Sequence, residues 1–433
     1  MMSNSLPTTP TWLINLRLPR WLLPSDWPLV PMRSAAKLEP MLAAVQLEQG
    51  KCIAVLPMSQ VDPASMAWDA QGRLALPGFV DSHTHLDKSF TSFRVGEVKP
   101  GLMGAIEASY ADCLLWTPED LYTRGLRSLQ WAEAHGTTHL RSHTNWTYLD
   151  DKPAAWDVLG QLAQEWQARV RLERVVLAPL ENFLDLNKSL QFAEQIAASG
   201  KDVLLGAFVR TQMWEPRALW NLLTAAQAFD LDVDIHADEE LNSDACGLLY
   251  TARYAAEMGF KGRIVCGHVC ALTIQTDEVV AATLEAVKAA PITIVALPIT
   301  NLYLQDAVTG RTPRYRGLTL VKELEAADIP VLIANDNVQD PFCPIGNYDL
   351  QECMRFATVT AQLDQLFDQY SQWICRTDYL SRSPLQQPSL IGQKADLQIL
   401  ASRQAASWPA RSDIAYVLRA GQLSTAPQLP EQG

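Results

Sequence analysis

The sequence predicts an α/β fold: a (β/α)8 TIM barrel over residues 77–379, with a small β-sandwich built from residues 1–76 and 380–433. Three observations predict it. Eight short apolar runs alternate with longer helical patterns through the middle of the chain. Both flanks read as short strands instead. Histidines and an aspartate sit just past several of the apolar runs, where a barrel carries its active site.

The eight runs are Leu76–Val80, Thr138–Ser142, Arg174–Pro179, Val203–Ala207, Leu231–Ile235, Arg263–Cys266, Ile292–Leu297 and Pro330–Ala334. They span roughly 260 residues, close to the ~250 of a typical barrel. Helical patterns separate them, at Pro118–His135, Ala154–Val170, Glu215–Phe229 and Ala245–Gly259. Pro118, with Glu119 and Asp120 behind it, marks a helix start. A doubly wound nucleotide-binding sheet is the competing fold, but no Gly-x-Gly-x-x-Gly or phosphate loop is present. In the N-terminal flank, Trp12–Leu18 is one strand, and Val45–Leu47 and Cys52–Leu56 enclose a hairpin turn at Glu48-Gln-Gly-Lys51. In the C-terminal flank, Ala395–Leu400 and Ile414–Leu418 precede a turn at Gly421, and the two ends are expected to pair.

Composition bounds the function. The net charge of −13 argues against nucleic acid, which needs a surplus of Lys and Arg. Arg17, Pro19 and Arg20 interrupt the apolar residues near the N-terminus, so neither a signal peptide nor a membrane span is expected. Eight cysteines without a Cys-x-x-Cys pair read as reduced thiols of a cytoplasmic protein. The expected partner is a small molecule, and the reading leaves room for a homo-oligomer.

Seven histidines are present, and their placement carries the chemistry. His83 and His85 stand two apart at the end of the first run, so both point to one side of a strand and can share a metal. Alone, such a pair is more often structural. His236 follows the fifth run in Asp232-Val-Asp-Ile-His-Ala-Asp-Glu-Glu240 and offers a third ligand, and Glu239 is placed to move protons. His268, in Ile264-Val-Cys-Gly-His268, is a ligand or a group that polarises the substrate; Cys266 and Cys270 beside it read as small buried thiols. Asp336 follows the eighth run and can bind a metal and accept a proton from its water, although Asn-Asp-Asn is also a common turn. His143 is a weaker candidate for the pocket wall, and His135 and His139 read as ordinary.

Together these residues resemble the amidohydrolase superfamily, in its cytosine deaminase branch. The matching segments are Gly78-Phe-Val-Asp-Ser-His-Thr-His-Leu-Asp87, Gly136-Thr-Thr-His-Leu-Arg-Ser-His143, Asp234-Ile-His-Ala-Asp-Glu239, Cys266-Gly-His268 and Asn335-Asp-Asn-Val-Gln-Asp-Pro-Phe-Cys-Pro-Ile-Gly346. The resemblance implies one divalent ion, zinc or iron, on His83, His85, His236 and Asp336. It implies catalytic roles for Glu239, His268 and Asp336, and a pocket shaped by the loops 303–316 and 340–346, with Phe342 in the second. Two departures stand out. Leu180, in Ala178-Pro-Leu-Glu-Asn182, replaces the glutamine that reads the substrate amide in cytosine deaminases. Lys88 and Asn337 resemble the N-isopropylammelide amidohydrolases, so Lys88, Leu180, Asn337, His143 and Phe342 are the expected substrate contacts.

The implied reaction is hydrolytic release of ammonia or a small amine from a cytosine-like or triazine-like heterocycle. Two alternatives are a dihydroorotase-like cyclic amide hydrolase and a non-catalytic barrel used for binding or assembly. The first usually needs a bridging lysine at a strand end; the second leaves every metal and proton-transfer position filled without purpose.

Overall fold

In the computed structural model, described for residues 9–31, 38–61, 67–364, 366–383, 385, 387–410 and 412–427, eight parallel strands follow one another around a barrel. They are β1 (Phe79–Thr84), β2 (Thr137–Asn145), β3 (Arg171–Pro179), β4 (Val203–Val209), β5 (Val233–Ala237), β6 (Ile264–His268), β7 (Ile292–Ala296) and β8 (Val331–Ile333). Period-two alternation builds it. Ile264, Ile294 and Val331 pack in the large cluster that includes helix residues. Their neighbours Val265, Val295 and Leu332 pack in a second, smaller cluster with Val80. The helix starting at Pro118 is capped by Thr117, whose hydroxyl accepts from the Asp120 N–H.

The ring closes between β1 and β8. The Asp336 N–H donates to the His83 carbonyl at 2.9 Å. Asn335 donates to Asp81 twice, from its backbone N–H at 3.1 Å and its side-chain amide at 2.8 Å. At the opposite end of the barrel, Thr293 donates to the Tyr379 carbonyl and Arg263 to that of Ser381, and Leu380 joins the cluster of Val265 and Leu332.

The chain ends pair as expected. Residues Leu397–Leu400 lie antiparallel to Ala75–Pro77. Cys52 exchanges backbone hydrogen bonds with Gly392 and Gln393. The hairpin of Ala43–Glu48 and Lys51–Pro57 turns through Gln49 (φ 49°) and Gly50 (φ 75°), the two positive angles of a type I′ turn. One expectation needs correction. Leu76–Val80 is not a single strand: Ala75–Pro77 belongs to the terminal sheet, and β1 begins at Phe79. Gly78 marks the crossing, where a Cβ would lie 2.4 Å from the Thr138 hydroxyl.

Inside the barrel lies a charged layer. Arg141 on β2 donates to Glu173 on β3 and to Asp234 on β5, both at 2.7 Å, and is only 1% exposed. His139 adds a contact to Glu173 at 3.1 Å. Burial opposes the charge on Glu173, yet Arg141 and His139 outweigh it and hold its carboxyl below the ordinary range. Removing one partner of such a buried set leaves uncompensated charge. Arg141→Met is therefore expected to lower unfolding free energy by about 3–5 kcal/mol, measured by chemical denaturation.

Candidate metal centre and cavity

Four side chains converge above this layer at the C-terminal ends of the strands. His83 Nε2 lies 3.2 Å from His236 Nε2, and His236 Nε2 lies 3.2 Å from His85 Nε2. Asp336 Oδ1 stands 3.2 Å from His85 Nε2 and 3.7 Å from His83 Nε2. All four residues are buried. Both Asp336 oxygens lack a hydrogen-bond partner. Three imidazole nitrogens and an unpartnered carboxylate buried this close together are costly without a cation among them. Ligands about 2.0–2.1 Å from a tetrahedral zinc stand ~3.4 Å apart, so the donor set and its spacing fit a divalent ion. Burial holds His83, His85, His143 and His236 well below the ordinary imidazole range, which leaves them neutral and able to ligate.

The remaining catalytic candidates border the same point. Glu239 Oε1 is 3.5 Å from His268 Nδ1, and the Asn301 side-chain nitrogen is 3.0 Å from that same His268 atom. The backbone at His268 (φ 70°) and Asp336 (φ 65°) is left-handed, an uncommon state for such residues that aims both side chains inward. Burial pushes the Glu239 carboxyl up to about 8, against the opposing pull of Arg210 and Lys88.

A cavity of about 440 Å³ opens over these groups. His85, His236, Glu239, His268 and Asp336 form its polar floor. Lys88 reaches it with its ammonium 3.4 Å from His85 Nδ1 and 4.8 Å from the centre of the Phe342 ring. Asn337 also lines it, and its side chain donates to Asp340 at 2.7 Å. Asp340 in turn accepts from the backbone of Phe342 and Cys343, so Asn337 helps fix the loop that carries Phe342.

Two expected contacts are placed elsewhere. Leu180 is fully buried in the apolar core, because the chain leaves β3 in a 3-10 turn over Leu180–Phe183; Leu177, Ala178 and Pro179 face the cavity instead. His143 lies below the cavity, its ring 4.1 Å from that of His83 and its Nε2 3.6 Å from Asp234. Of the loop 303–316, Leu304, Gln305, Asp306 and Tyr315 wall an adjoining cavity rather than the main one. Sequence reasoning missed Phe208 and Arg210, which line the main cavity from the end of β4. The available signal was their spacing, since residues two apart at a strand end share a side.

A family model described as the amidohydrolase family matches residues 96–366. A pterin deaminase of Rhizobium rhizogenes is 33% identical over 391 residues, covering 88% of each chain. An N-isopropylammelide isopropyl amidohydrolase of Pseudomonas sp. strain ADP is 26% identical over 345 residues, covering 77% of this chain and 81% of its own. Among solved structures, 5-methylcytosine deaminase from Klebsiella pneumoniae superposes with a TM-score of 0.77 at 23% identity, covering 98% of this chain and 100% of its own.

The cluster makes a direct prediction. Adding zinc at a hundredfold excess over its Kd to metal-free protein should stabilise the fold by about 2.7 kcal/mol, read by thermal or chemical unfolding. His236→Ala, which removes the nitrogen shared by both short contacts, should abolish most of that gain and most of the metal measured by elemental analysis.

Proposed function

Because the chain belongs to the amidohydrolase family, we propose that it hydrolyses an exocyclic carbon–nitrogen bond of a nitrogen heterocycle and releases ammonia or a small amine. The observation that carries this reading is the shared cavity: His85, His236 and Asp336 of the cluster and the protonatable Glu239 face one apolar-walled space, with His83 packed behind them. One divalent ion, zinc or iron, is assigned to that cluster. When bound, such an ion supplies Lewis acidity that makes water a competent nucleophile near neutral pH.

The chain's own groups do the rest. Water adds its oxygen to the ring carbon that bears the amino group, and the carbon–nitrogen bond breaks. One water proton leaves with the amine and the other ends on the ring nitrogen. Glu239 carries these protons; a carboxyl raised towards neutrality both accepts and donates at working pH. Asp336 takes the first proton as the oxygen attacks and passes it to Glu239 for delivery. His268, its Nδ1 accepting from the Asn301 amide, orients the attacking oxygen. Phe208 and Phe342 offer apolar faces for a planar ring. The 33% identical pterin deaminase and the cavity's size favour a pteridine-like substrate over a single small ring.

Glu239→Gln tests the reading. It should lower kcat/KM for ammonia release by about 10²–10⁴ while the bound metal stays near wild-type content. Near-normal activity in that variant rules out Glu239 as the proton carrier.

A further inference from the structure

Leu180, which the resemblance sets in place of a substrate-reading glutamine, is buried in the core. Recognition of the oxygen and nitrogen atoms of a heterocycle then falls to the other polar groups of the cavity wall, among them Lys88, Asn145, Arg210, Gln212 and Asn337. The end of β4 supplies one. Phe208 is paired in register with His236, which places Arg210 roughly 7 Å further along the strand direction, over the cavity and beyond the metal cluster.

Arg210 is poorly partnered for a residue whose side chain is only 11% exposed. Its Nε is buried without a hydrogen-bond partner. Its Nη1 meets only the Met103 sulfur, at 3.1 Å. Its Nη2 is 3.6 Å from Glu240, beyond hydrogen-bond range. Glu240 is held away from it, since its other oxygen accepts from the Thr211 N–H at 2.6 Å and the Thr211 hydroxyl at 2.8 Å. Arg124 and Arg141, elsewhere in the barrel, have two or more good acceptors each. A planar fork of N–H donors at a cavity wall, with one neighbouring acid already engaged, is built for an incoming oxygen acceptor.

We propose that Arg210 is a specificity-determining residue that donates to a ring carbonyl oxygen of the substrate, on the edge turned away from the metal cluster. Lys88, beside His85 at the cluster end, does not occupy this position. The assignment rests on the heterocycle deaminase reading and narrows its substrate class to oxo-substituted amino heterocycles. A site with an unpaired donor rejects an analogue that lacks the acceptor.

The test uses the metal-loaded Glu239→Gln chain, which binds without turning over. It is titrated with 2-amino-4-oxopteridine and with 2-aminopteridine, which lacks the oxygen. The oxo compound should bind more tightly. Adding Arg210→Met should shrink that preference by about 10- to 100-fold, and Arg210→Lys, which keeps charge but not the fork, should fall between. An effect of Arg210 exerted through charge alone would weaken both ligands together and leave their ratio unchanged. An unchanged ratio, or equal binding of the two compounds before Arg210 is altered, overturns the proposal. Ammonia release by the wild-type chain is assayed in parallel. Its absence from every heterocycle tried sinks the deaminase reading, while the binding ratio still decides the role of Arg210.

Discussion

The seam between β1 and β8 is the constraint on which the site depends. Asp81 and Asn335, 254 positions apart, are joined by a buried side-chain hydrogen bond. One residue further, the Asp336 N–H meets the His83 carbonyl. Closing the ring at that register sets Asp336 beside His83 and His85. A different register would move Asp336, three residues past β8, away from its bridge to Thr84 and so from the two histidines. The left-handed backbone at Asp336 belongs to the same junction and costs energy that the closed ring holds in place.

Below the cluster, the barrel interior is polar where an ordinary core would be apolar. Arg141 joins Glu173 and Asp234, and His143 fills the space between Asp234 and His83. Such a layer is weak evidence for stability, because burying charges costs about what their attraction returns. Its effect here is positional. His143 packs against His83, and Asp234 stands two residues before His236 on β5, so two cluster residues are supported by groups that are themselves tied to Arg141. Misplaced ligands would widen contacts that now stand at 3.2 Å.

Much of the architecture was legible in the chain. Seven of the eight barrel strands lie on the predicted runs, and the first overlaps its run only at Phe79 and Val80, because Leu76 and Pro77 pair in the terminal sheet. His83, His85, His236 and Asp336 were visible as polar residues ending such runs. Strand ends were not. Val203–Ala207 stops two residues short of β4, whose pairing with β5 continues through Val209 opposite Ala237. That difference hid Phe208 and Arg210. Leu180 misled for the converse reason: one residue past the strand the backbone turns, and the alternation that would have aimed it at the cavity ends.

The sequence by itself determined the kinds of element, their order and the donor types available for a metal, since these follow from periodicity and side-chain chemistry. It also marked the chain's likeness to a family of hydrolases. Only the tertiary structure decided which polar residues meet. His143 and Leu180 carry promising positions in the chain, yet one packs beneath the cluster and the other in the outer core. Arg210 carries no motif, yet it faces the cavity with donors unmatched. Hydrogen-bond satisfaction is a property of the closed barrel: it depends on neighbours from other strands, whose register no local pattern contains.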